Sequence, residues 1–192
     1  MQTLGLSDST PRTESRLKSL FWPTIRNDGD LDYLTEQGFW ICFVVAAVTE
    51  VFSWIAGHPF AGLFDSLFFF FGGVGVRMRS RLAAILIFWV YLLSGIALQI
   101  STGQGFNVMR LIFLALLLAN IRGIWLSASW PATETAAPPV RLNENWRDKL
   151  SDQLPQLLWP KVKWLFYVLA GLEILGLILQ FVARPGGGQA IS

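Results

Sequence analysis

Five stretches of this chain are each close to the ~20 apolar residues that a helix needs to cross the hydrocarbon core of a bilayer. They run from Gly38 to Gly57, Phe60 to Val76, Leu82 to Ser101, Phe106 to Ser127 and Trp164 to Ala183. Lipid offers no hydrogen bonds, so a spanning segment satisfies its own backbone by becoming a helix. The pattern therefore predicts an all-α polytopic membrane helix bundle of about five transmembrane helices. Connections among the first four stretches are brief, which makes those helices antiparallel neighbours. Composition agrees: 53% of the 192 residues are hydrophobic and 15% charged, against about a quarter charged in a soluble domain. The second stretch is short and rich in phenylalanine (Leu67 to Phe71), and is expected to tilt little or to thin the bilayer locally.

Lys and Arg set the orientation, because cytoplasmic loops retain them. With a cytoplasmic N-terminus, 13 of the 15 fall inside, and only Arg110 and Arg184 fall outside. The opposite orientation reverses that count. Trp22, Trp40, Trp125, Trp130, Trp159 and Trp164 then lie at inner ends and Trp54 at an outer end, where indoles favour the headgroup layer. Residues 1–33 hold no secretory core, so the first span is expected to act as its own insertion signal.

Several chemistries are excluded by count. The one cysteine, Cys42, lies in an apolar run, so neither an intrachain disulfide nor a thiolate zinc site can form. One histidine, His58, cannot supply two axial haem ligands or a two-histidine metal site within one copy. It sits in Gly57-His58-Pro59, which reads as a tight turn. The phosphate-loop, nucleophile-elbow, zinc-protease and dithiol motifs are missing. No enzyme activity, cofactor, metal site or nucleic-acid binding is expected.

The organisation expected is a cytoplasmic tail over 1–36, a four-helix unit over 37–127, a cytoplasmic segment over 128–163, a fifth span over 164–183 and a flexible tail over 184–192. The segment divides into a linker, Pro131 to Pro139, and an interfacial amphipathic helix. Leu142, Trp146, Leu150 and Leu154 recur at i, i+4 among charged residues, which suits a helix on the membrane surface or on a protein partner. A faint echo links Leu20-Phe21-Trp22-Pro23 with Leu157-Leu158-Trp159-Pro160, and Glu50 with Glu173.

Ionisable groups at membrane depth cost at least ~2.5–3.5 kcal/mol each near the centre, so those present call for a reason. Glu50, Asp65 and Arg110 fall within ~6–11 Å of the outer surface at 1.5 Å per residue. They are expected to converge as an intramembrane polar cluster, with the guanidinium facing the carboxylates. That cluster reads as a structural network, a proton or cation path, or a polar ligand pocket. Glu173 is expected to face a partner, because its span is set apart by the long loop. Arg77, Arg79, Arg81 and Arg122 read as topology determinants and lipid-headgroup contacts. Ala115, Ala119 and Gly123 form a small-residue stripe suited to close helix approach.

The strings Gly62-Leu63-Phe64-Asp65-Ser66-Leu67-Phe68-Phe69, Gly75-Val76-Arg77-Met78-Arg79-Ser80-Arg81-Leu82-Ala83-Ala84 and Val90-Tyr91-Leu92-Leu93 carry a resemblance, joined by Gln37-Gly38-Phe39-Trp40 and Asn120-Ile121-Arg122-Gly123. Over about residues 22–127 the chain resembles a family of small bacterial four-span inner-membrane proteins with no established activity. The resemblance implies an architecture and a bacterial inner membrane, not a mechanism. Members often place a carboxylate where this chain has Ser94, and the region from about Ala128 is an addition to their pattern. The function expected is a non-catalytic accessory or interaction subunit, packed with lipids and with copies of itself or other membrane subunits. The alternative is a small oligomeric transporter or channel using the intramembrane carboxylates.

Overall fold

A computed structural model describes residues 15–26, 28–103, 107–128 and 146–182. The linker, the start of the expected amphipathic helix and both chain ends lie outside the described residues. The described residues form six helices: α1 (Arg16–Phe21), α2 (Asp28–Ile55), α3 (Pro59–Arg77), α4 (Arg81–Thr102), α5 (Val108–Ser127) and α6 (Trp146–Val182). Five of them, α2 to α6, are long and apolar enough to cross a membrane.

The helix boundaries follow local chemistry. Gly57, at φ 78°, reverses the chain out of α2, and Pro59 opens α3 where its missing N–H costs nothing. That is the turn expected at Gly57-His58-Pro59. Ser80 caps α4 by accepting from the Ala83 N–H, and Asn107 caps α5 by accepting from the Met109 N–H at 2.9 Å. Gly103, at φ 69°, ends α4 in the left-handed conformation. With 19 residues, α3 is ~28 Å long and nearly matches the hydrocarbon core.

α3 is the centre of the bundle, with α2, α4 and α6 packed around it. Its glycines make that approach possible. A Cβ on Gly73 would meet the Cys42 Cβ of α2 at 2.7 Å, and one on Gly75 would meet Ala83 of α4 and Trp159 of α6. Phe68 stacks on Phe166 of α6, with ring centroids 5.4 Å apart. α5 fills the groove between α2 and α4. There the expected stripe is used within the chain: Ala119 is fully buried and Gly123 packs on Leu34.

Two elements differ from the sequence reading. α2 begins at Asp28, so part of the expected tail is helix, with Asp30, Asp32 and Thr35 buried. Acidic residues in the first turn favour that start, because the helix N-terminus is the positive end of its dipole. The surface helix and the fifth span are one helix of 37 residues, ~55 Å long. It stays continuous through Pro155 and Pro160 because one face remains packed throughout. Ser151, Pro155, Phe166, Leu169, Ala170 and Leu177 on that face are all buried. The segment therefore lies against the bundle and not apart from it.

Candidate functional site

The bundle has two ends. One carries Arg77, Arg79 and Arg81 and the starts of α2 and α6; the other carries the α2–α3 turn, the end of α4, the start of α5 and the end of α6.

At the basic end, Arg77 is the last residue of α3, and its side chain is 7% exposed. Its guanidinium pairs with Asp32 of α2 at 2.6 Å and with Asp152 of α6. It also donates to the Thr35 hydroxyl at 2.8 Å, the Asp32 carbonyl at 2.9 Å and the Ser151 carbonyl at 3.0 Å. One planar fork thus ties three helices, which a lysine ammonium would not match. Arg79 pairs bidentately with Asp28. Of the four expected headgroup arginines, these two are held in ion pairs within the chain. Arg81 lies over the Trp125 ring, and Arg122 lies over Trp22 while donating to the Pro23 carbonyl at 3.0 Å.

Toward the opposite end, a cavity of about 770 Å³ opens in the bundle, and all five long helices line it. Its polar lining includes Asp65 from α3, Ser94 from α4, Arg110 from α5, and Glu173 and Gln180 from α6. Asp65 and Arg110 thus line one cavity. Glu50 is not among them. Its carboxylate accepts from Trp54 Nε1 at 2.7 Å and from Ser66 Oγ at 3.2 Å, which ties α2 to α3.

Glu173 takes the third place. The sequence reading turned it toward a partner, but it lines the same cavity as Asp65. The signal was available: α6 runs antiparallel to α3, and both residues lie about two turns from the same end.

Arg110 does not pair with either acid. Among the described residues its guanidinium has no carboxylate partner; it lies over the Tyr91 ring at 5.2 Å. A Cβ on Gly95 would fall 2.5 Å from its Nη1, so the missing side chain makes the room it occupies. Arg110 is in the first turn of α5 and has the length to reach water at the helix end. It bends inward instead, to the level of Gly95, ~10 Å below the end of α4. Asp65 lies ~9 Å and Glu173 ~13 Å from the same end of their helices. Two acids and one base therefore share a level of one cavity without an ion pair between them. Ser94 donates its own hydroxyl to the Tyr91 carbonyl at 3.1 Å, which leaves its oxygen lone pairs as acceptors.

No group of three or more potential metal ligands occurs among the described residues. His58 is exposed in its turn, and Cys42 is buried. Comparison of the chain with protein-family models, with curated proteins and with solved structures finds no match.

Proposed function

We propose that this chain is a non-catalytic membrane protein that takes a charged or zwitterionic solute into the cavity lined by Asp65, Arg110 and Glu173. One observation carries the reading: Arg110 is turned into the cavity, and among the described residues neither it nor the two carboxyls lining the same cavity has an ion-pair partner. A structural clamp would have paired them, since unpaired charge at membrane depth is costly. The volume of about 770 Å³ falls within the ~300–1,000 Å³ usual for small-molecule sites. The proposed location is a bacterial inner membrane, with the N-terminus cytoplasmic and the cavity in the outer half. The Lys and Arg distribution supports that orientation. The glycine-lined packing of α3 and the Arg77 network then close the cytoplasmic side. This is the arrangement of a binding or carrier protein open to the outside.

A second reading, a subunit packed on other membrane proteins, draws on α6. Its apolar window is the least buried of the five at 22%, and Leu175, Ile178 and Leu179 face outward.

Native mass spectrometry of the full chain, purified gently from its host membrane, tests both. A small adduct at one per chain, lost in Arg110→Gln, supports the cavity reading. Polypeptides at fixed stoichiometry without such an adduct would replace it with the subunit reading.

A further inference from the structure

The cavity is walled unequally. On α3, α4 and α5 its polar groups sit on packed helices, with Tyr91 buried and Arg110 seated on Gly95. On α6 the wall is thin. Gly176 lines the cavity, and a Cβ there would meet nothing within 4 Å; Gly171, earlier on the same helix, is equally open. Leu172, Gly176, Gln180 and Phe181 line the cavity yet remain exposed, as do Leu98 on α4 and Phe64 on α3. The cavity therefore combines a polar floor with an apolar, open flank along α6. That flank lies at a depth where the surroundings of a spanning helix are acyl chains.

The charges on the floor are of both signs and separate. Arg110 presents a planar fork that matches phosphate oxygens bidentately. Asp65 and Glu173 line the same cavity and offer carboxyl oxygens, and the Ser94 oxygen lines it with them. A primary ammonium has three donors and can satisfy two carboxylates and a hydroxyl oxygen together. A quaternary ammonium has none, and a glycerol headgroup has no charge to offer.

We infer that the cavity binds a membrane lipid whose headgroup joins a primary ammonium to a phosphate, with the acyl chains leaving along α6. The inference rests on the solute-binding reading above and names the ligand class of that same site. The phosphate sits on Arg110, the ammonium lies between Asp65 and Glu173, and the exposed leucines of α6 cover the first methylenes.

The test places the full chain in nanodiscs of equal parts phosphatidylethanolamine, phosphatidylcholine and phosphatidylglycerol and reads the retained lipid by native mass spectrometry. The ethanolamine lipid should be retained about tenfold over each of the others, since two charge-assisted hydrogen bonds depend on its amine. The Asp65→Asn/Glu173→Gln double variant, nearly isosteric, should lose that preference. Arg110→Gln should lose all three lipids.

Equal retention of the three lipids by the native chain overturns the inference and needs no variant to fold. Displacement of the lipid by equimolar glycerophosphoethanolamine also overturns it, in favour of a soluble source. Failure of the cavity reading itself looks different. In that case neither lipid nor solute is held, and Gly176→Trp, which fills the flank, changes nothing.

Discussion

Arg77→Gln removes the cation on which α2, α3 and α6 converge. The cost can be worked from its surroundings. Asp32 is left behind with a side chain 6% exposed, too buried to regain its hydration. Removing one partner of a buried ion pair costs ~3–5 kcal/mol. The Asp32 and Ser151 carbonyls and the Thr35 hydroxyl also lose a donor, which places the expectation in the upper half of that range. Asp152 is 30% exposed and can turn to water, so its share is small. Reversible unfolding of the full chain in mixed micelles, titrated with a denaturing detergent, measures the loss. The double variant Asp32→Asn/Arg77→Gln should lose less than Arg77→Gln alone, because the buried carboxylate that Arg77 balanced is then neutral. A loss under ~1 kcal/mol for Arg77→Gln, typical of a water-exposed pair, would refute the buried knot. So would a double variant less stable than the single.

Other perturbations separate packing from site. Gly73→Ala should cost ~1–3 kcal/mol in the same assay, since its Cβ would meet the Cys42 Cβ at 2.7 Å and the Phe39 carbonyl at 3.3 Å. Gly171→Ala, which meets nothing within 4 Å, should leave stability unchanged or raise it by up to ~1 kcal/mol through helix propensity. Arg79 sits at φ 57°, a conformation that favours glycine, and also pairs with Asp28. Arg79→Gly should therefore cost less than Arg79→Ala, by up to ~1 kcal/mol; the reverse order would mean that its backbone is not held there. Gly95→Leu should expel the Arg110 guanidinium and abolish any adduct that Arg110→Gln abolishes, as read by native mass spectrometry.

The spans and their order were legible because a bilayer imposes a single requirement, length of apolar run, on each of them. The helix starts at Pro59, Arg81 and Val108 were close to legible from Pro59, Ser80 and Asn107. The extent of α2 and α6 was not. Their extra turns are held by Arg77 reaching Asp32 and Asp152, contacts 45 and 75 residues apart in sequence, and no local pattern announces them. The site was half legible. Depth arithmetic placed Asp65 and Arg110 at one level, but depth cannot say which way a residue faces. Glu50 shares their depth and turns to Ser66 and Trp54, while Glu173 looked isolated because the linker hid the docking of α6 on α3. The inward bend of Arg110 depends on Gly95 of the neighbouring helix, and sequence spacing carries no trace of that pairing.

The central claim is that a polar cavity between the spans opens at the end opposite Arg77. Thiol labelling from one side tests it most directly. In a Cys42→Ala background, single cysteines would replace Ser94 in the cavity, Ser101 at its mouth and Ala84, buried near the basic end. Thiols react as thiolates and need water to ionise. A charged, membrane-impermeant thiosulfonate added to the outer face of intact cells should modify Ser101→Cys and Ser94→Cys and leave Ala84→Cys untouched. Modification at Ser101→Cys with none at Ser94→Cys would mean that the charged floor is sealed from that face, and would contradict the account.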